Sequence, residues 1–102
     1  MNRSGGSMAM VSAVILLGMQ HDRINEVAQE LVALDGVTAV YSVAGQYDLV
    51  VMVRVKDNEE LADLVTGRML KLPGIQRSET LIAFRVFSRY DLDRMFSVGM
   101  DA

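Results

Sequence analysis

The sequence has no cysteine and no tryptophan, one proline, one histidine, three tyrosines and three phenylalanines. Without cysteine there can be no disulfide, thiol nucleophile or thiolate metal site, which fits a reducing compartment, read here as cytoplasmic. A single histidine leaves little room for imidazole catalysis, which needs an orienting carboxylate and a reacting group brought to it by the fold. Charge of one sign is also missing. Ten basic against thirteen acidic side chains give a net charge of -3, with the arginines dispersed. Nucleic-acid affinity rests on neutralising several phosphates together, so direct nucleic-acid binding is not expected. The longest apolar run, Met8 to Met19, falls short of the roughly 20 residues a membrane helix needs. Arg3 ahead of that run imitates a secretory signal, but Gly18-Met19-Gln20-His21 lacks a small-residue cleavage pattern, and a buried strand accounts for the same residues.

What the chain does have is apolar side chains. Of its 102 residues, 51% are hydrophobic and 23% charged, the composition of one globular domain with a sizeable core. Residues 1–9, with Ser4-Gly5-Gly6-Ser7, have linker composition and read as a disordered leader or cloning remnant, leaving 10–102 as the single domain. Met10 to Gly18 reads as a strand buried on both faces. Asp22 can cap a helix whose stripe is Ile24, Val27, Ala28, Leu31 and Leu34, stopped by Asp35-Gly36. Val37–Ala44 and Asp48–Lys56 read as strands joined in a hairpin through Gly45-Gln46-Tyr47. Asp57 and Glu60 resemble a capping box opening a second helix with Leu61, Leu64, Val65, Met69 and Leu72 as its stripe, ended by Pro73-Gly74. A last strand is expected from Ile75 or Thr80 to Phe87, with a short helical tail over Asp91–Phe96.

The order β-α-β-β-α-β is the α+β, ferredoxin-like arrangement. An offset of 38 residues sets Val27 on Val65, Leu31 on Met69, Leu34 on Leu72, Gly36 on Gly74 and Val37 on Ile75. Two such βαβ units with right-handed crossovers give an antiparallel four-stranded sheet with both helices on one face. Yet the central strands are apolar on both faces: Val14 and Leu16 alternate with Ile15 and Leu17, and Val50 and Met52 with Val51 and Val53. Two helices cover one face only, and soluble monomers rarely expose a large apolar patch. The second face therefore calls for another copy, sheet against sheet, as a dimeric α/β barrel. The alternative is the C-terminal tail, where Met95, Phe96, Val98 and Met100 could cover part of it.

Few residues carry recognisable chemistry. His21 reads as an exposed loop residue, and Glu59-Glu60 and Asp91/Asp93 as solvated residues near helix starts. No spacing suits a metal, no glycine pattern suits a phosphate, and the eight methionines read as core filler. No catalytic residue, metal or cofactor is expected. The informative segment is Val43-Ala44-Gly45-Gln46-Tyr47-Asp48-Leu49. A glycine turn exposes backbone N–H groups, Tyr47 offers an aromatic wall with a hydroxyl, and Asp48 adds an anion, a mixture that matches the carboxylate and ammonium of an amino acid. A plain hairpin turn explains the same residues. Asp48, as an exposed turn carboxylate, is expected to contribute little to folding.

Ala44-Gly45-Gln46-Tyr47-Asp48-Leu49, the joints Leu34-Asp35-Gly36-Val37 and Leu72-Pro73-Gly74-Ile75, and Ser78-Glu79-Thr80-Leu81-Ile82 together resemble the effector-binding (RAM) domain of the Lrp/AsnC family. The resemblance covers about Val11 to Arg89. It implies an amino-acid-sensing and assembly module, not an enzyme, linked to transcriptional regulation of amino acid metabolism. It implies a homodimer assembling into an octamer of four dimers, with an effector held between dimers by Gly45, Gln46, Tyr47, Asp48 and Thr80. Full-length members carry a helix-turn-helix domain of about 50 residues or more. With nine residues before its first strand, the chain is expected to be a stand-alone module that touches no operator or membrane and acts by joining full-length regulators. Two other readings share the fold: an ACT-type regulatory domain, and a small dimeric α/β-barrel enzyme of the monooxygenase or haem-degrading kind. The Gly-x-Tyr-Asp turn disfavours the first, and the space between sheet and helices, filled by Val, Leu and Ile, disfavours the second.

Overall fold

The computed structural model describes residues 10–87 and Arg89. Its elements are β1 (Val11–Met19), α1 (Ile24–Val32), β2 (Val37–Ser42), β3 (Leu49–Val55), α2 (Asn58–Gly67) and β4 (Ile75–Ile82), with 3-10 turns at His21–Arg23 and Met69–Lys71. The strands form one antiparallel sheet in the order β2-β3-β1-β4. The ferredoxin-like arrangement expected from the sequence is present.

Both crossovers end on the same backbone device. Gly36 and Gly74 take φ of 96° and 99°, in the region open to glycine at little cost. The carbonyl of each accepts a 2.8 Å hydrogen bond from the chain beside it, from Arg54 N–H at Gly36 and from Gln20 N–H at Gly74. A Cβ at Gly36 would stand 2.9 Å from Val55 Cγ1, and one at Gly74 would stand 2.8 Å from Arg23 Cβ. The joints that align in the sequence are thus equivalent in space.

Alternation along the strands sorts the side chains onto two faces. Ala13, Ile15, Leu17 and Met19 of β1 and Leu49, Val51, Val53 and Val55 of β3 are buried under the helices, against Val27, Leu31, Leu61, Leu64, Val65 and Met69. On the other face Val14, Leu16, Val50 and Met52 are only half-buried, and Tyr41 and Leu81 beside them are 55% and 47% exposed. No helix among the described residues covers that face. The tail residues weighed as an alternative cover, and the helix expected over Asp91–Phe96, lie outside the described residues, as do residues 1–9.

Several boundaries differ from expectation, each for a local reason. Asp22 makes no cap; it lies in the 3-10 turn, and α1 starts behind Arg23 without a side-chain cap hydrogen bond. Asp57 does cap α2, its Oδ1 accepting from Glu60 N–H at 2.8 Å, while Glu60 Oε1 accepts from Lys56 N–H at 2.8 Å, one residue earlier than the usual box. α2 ends at Gly67, so Met69 reaches the core from a 3-10 turn and Leu72 is already extended. β2 stops at Ser42, two residues short of Ala44. β4 stops at Ile82, beyond which Phe84, Val86 and Phe87 are exposed by 101%, 59% and 86%.

Truncating Leu31, fully buried between α1 and the sheet, should cost about 2–5 kcal/mol in urea unfolding. Removing the α2 cap with Asp57→Ala should cost only about 1 kcal/mol.

Candidate functional site

The β2–β3 connection is the one segment where the sequence concentrates donors, an aromatic ring and an anion. Val43 N–H donates to Asp48 C=O at 2.9 Å and closes a loop over Ala44, Gly45, Gln46 and Tyr47. Gly45 has φ of 150° and open space around its Cα. Among the described residues, none of the four loop N–H groups donates to another protein atom. They are available to an anion or to water.

Asp48 is more than a turn residue. Its Oδ2 accepts from Met19 N–H at 2.8 Å and its backbone N–H donates to Leu17 C=O at 2.9 Å, fastening the hairpin to the end of β1. Its side chain keeps only 25% exposure, against the expectation of a free turn carboxylate. The need for it arises because the β1–β3 pairing ends at Leu17 with Leu49, so Met19, whose N–H lies on the same side of β1 as the Leu17 carbonyl, has no β3 backbone beside it. A carboxylate therefore completes a ladder that β1 cannot complete with backbone alone. Its second oxygen stands 3.9 Å from Nε2 of His21, whose side chain is 88% exposed. That separation is an electrostatic approach and too long for a hydrogen bond. Met19, Gln20, His21, Asp22 and Gln76 line an open cleft of about 490 Å³ alongside.

Tyr47 turns toward the uncovered face. Its hydroxyl donates to Glu79 Oε1 at 3.0 Å, and Arg77 lies over its ring, 4.5 Å from the centroid. Arg77 Nη2 also donates to the Gln46 carbonyl. The hydrogen bond to Glu79 raises the Tyr47 pKa above its ordinary value, helped by partial desolvation and the Glu79 charge, while Arg77 acts in the opposite direction.

The expected residues are therefore gathered in part. Gly45, Gln46 and Tyr47 form one surface with Arg77 and Glu79, and Asp48 joins the loop to β1 and His21. Thr80 pairs with Ile15, so its exposed hydroxyl belongs to the helix-side face of β4, whereas Arg77 and Glu79 pair with Gly18 and Leu16 and project to the other. Within one chain Thr80 and Tyr47 do not share a face. The expected ligand residues did not include Arg77, or Glu79 although it belongs to the Glu79-Thr80 motif, and alternation along Arg77-Ser78-Glu79 was the available signal that they share one face.

Elsewhere, a cleft of about 320 Å³ at the other end of β3 is lined by Arg54, Lys56 and Arg68 together with Asp35, Glu60 and Asp63. Among the described residues no group of three or more His, Asp or Glu side chains is placed to hold a metal ion, and no helix is long and apolar enough to cross a membrane.

A family model, the Lrp/AsnC ligand binding domain, matches residues 12–92. The HTH-type transcriptional regulator FL11 of Pyrococcus furiosus is 32% identical over 76 residues, covering 74% of this chain and 50% of that protein. The chain spans about half the length of the curated relatives it matches. Among solved structures, TTHA0845 from Thermus thermophilus is 44% identical with a TM-score of 0.73, covering 78% of this chain and 99% of that one. E. coli AsnC superimposes with the same TM-score of 0.73 at 23% identity, over 78% of this chain and 54% of that one, a likeness of fold.

Replacing Asp48 by Ala leaves the Met19 N–H without its acceptor, and should cost about 1–3 kcal/mol in chemical unfolding. Asp48→Asn keeps an acceptor oxygen and should cost clearly less.

Proposed function

The chain belongs to the Lrp/AsnC ligand-binding-domain family, and from that premise we propose that it senses an amino acid at the Ala44–Asp48 turn and assembles with further copies of itself. The observation that carries the reading is the turn: four uncommitted N–H groups beside the Tyr47 ring and a carboxylate with one oxygen left over. The N–H groups suit the ligand's carboxylate, and Asp48 suits its ammonium, as charge-assisted hydrogen bonds. Because Thr80 projects from the opposite face of β4, it and Tyr47 reach one small ligand when different protomers supply them. The pocket of Gly45, Gln46, Tyr47, Asp48 and Thr80 then lies between dimers.

The reading is non-enzymatic. The layer between sheet and helices, where a dimeric α/β-barrel enzyme would keep its pocket, is packed by Ile15, Leu17, Leu31 and Met69, each fully buried. No metal or cofactor enters the proposal. The protein is assigned to the cytoplasm and to the transcriptional regulation of amino acid metabolism. It acts by joining full-length regulators of the FL11 kind, with no operator contact of its own at a net charge of -3.

The open face supports assembly. Val14, Leu16, Val50, Met52, Tyr41 and Leu81 form a continuous apolar surface, and a second copy packed sheet to sheet would remove it from water. Four such dimers in a ring give the octamer. Light scattering at micromolar concentration should return at least a dimer, and Met52→Asp should dissociate it by placing a charge in the paired face. A monomeric mass for the unaltered protein would refute the assembly.

The sensing role is tested by a thermal-shift panel of amino acids. A sensor working near metabolite levels has a dissociation constant of about 1 mM to 1 μM. At a hundredfold excess the linkage adds about 2.7 kcal/mol, a shift of several degrees. Asp48→Asn should abolish the response with little loss of stability. A panel without any shift, or a shift that survives Asp48→Asn, removes the turn as the site.

A further inference from the structure

Arg77 is placed oddly for a β-strand cation. Its partner in the ladder is Gly18, and a Cβ at Gly18 would stand 2.7 Å from both Cγ and Nε of Arg77. The arginine stem thus lies flat across bare backbone, where any side chain at position 18 would lift it away. No positive φ demands glycine there, so the close approach is what uses its missing side chain. Lying flat brings the guanidinium over the Tyr47 ring and within hydrogen-bonding reach of the Gln46 carbonyl. No carboxylate among the described residues lies within ion-pair distance of it. A planar fork that stacks on a ring while donating in its own plane suits this position, and an ammonium would not.

We propose that Arg77, seated on Gly18, is the positioning residue of the effector turn: it fixes the Gln46 carbonyl and the Tyr47 ring, and so holds the loop N–H groups in one arrangement before ligand arrives. Glu79 completes the grip by accepting the Tyr47 hydroxyl. Without Arg77 the loop is tied at its two ends, by Val43 and Asp48, and otherwise only through the Tyr47 hydroxyl, and binding must first order the Gln46 carbonyl and the ring. The ligand half of the proposal rests on the sensing role above; the latch itself does not.

Three variants test it on the full chain, with the Tyr47 ring followed by NMR through its alkaline titration. Arg77→Gln removes the neighbouring cation that favours the ionised ring, so Tyr47 should titrate at higher pH than in the unaltered protein. Gly18→Ala should move the titration the same way by displacing the arginine stem, though it alters neither the turn nor Arg77. Arg77→Lys should restore part of the titration shift through charge, without restoring the ring's single ordered environment. For any amino acid found to bind, both Arg77→Gln and Gly18→Ala should weaken affinity by about tenfold. The latch is overturned if Tyr47 titrates unchanged in folded Arg77→Gln and Gly18→Ala proteins, or if its titration moves while affinity for a bound amino acid stays the same. If no amino acid binds the unaltered protein but the titration shifts as expected, the sensing role falls and the latch stands.

Discussion

Two central strands that are apolar on both faces constrain everything else in this structure. Ala13, Ile15, Leu17 and Met19 of β1 and Leu49, Val51, Val53 and Val55 of β3 are the residues the two helices cover. Val14, Leu16, Val50 and Met52, on the same two strands, remain on a face with no helix above it among the described residues. At about 25 cal/mol for each Å² of apolar surface removed from water, pairing such a face is a strong drive to association. Charged or polar substitutions along the face would relieve exposure in a monomer, but this sequence has few there: Ser12 and Arg54 lie at its end, and Arg77 and Glu79 at the β4 edge. The polar groups are thus at the rim, the arrangement of a protein interface more than of a solvated surface.

The fold was legible because its determinants are local and repeated. The offset pairs Gly36 with Gly74, which share one backbone conformation, and Val27 with Val65 and Leu31 with Met69, all four buried in the core although Leu31 lies on α1 and Met69 in the 3-10 turn after α2. The period-two alternation in β1 and β3 and the stripes of α1 and α2 needed no tertiary information. Boundaries were less legible where tertiary contacts decide them. Asp22 has the residue type of a cap but sits in a 3-10 turn beside the cleft, one residue ahead of Arg23, which takes the N-cap position of the α-helix Asp22 was expected to open. Phe84 and Val86 continue the alternation of β4, but the last β1 pairing is Ala13 with Ile82, with Ala83 N–H donating to Ser12 C=O, although β1 itself extends to Val11.

The candidate site was legible at the level of residue types and not of roles. Gly45, Gln46, Tyr47 and Asp48 stood out because a turn rarely combines an aromatic, an amide and a carboxylate behind a glycine. What the sequence could not carry was the end of the β1–β3 ladder at Leu17, beyond which the Asp48 carboxylate accepts from the Met19 N–H at a separation of 29. Nor could it carry the contact of Arg77 with Gln46, at a separation of 31. Thr80 was grouped with the turn by family likeness, and alternation sets it on the other face of β4 from Glu79. Long-range hydrogen bonds and the face of an edge strand are properties of the assembled sheet.

β4 ties these levels together. One face of its ladder with β1 carries Leu81 on the uncovered apolar surface and, two and four residues earlier, Glu79 and Arg77 at the turn. A second copy packed against Leu81, as proposed, would therefore touch the same strand that grips Tyr47. A ligand that favours one arrangement of the turn must, by reciprocity, be held more tightly in whichever assembly favours that arrangement, by the same free energy that it adds to the assembly. Coupling between occupancy and assembly then needs no moving domain and no hinge. It needs only that the turn and the proposed interface share one edge strand, as they do in β4.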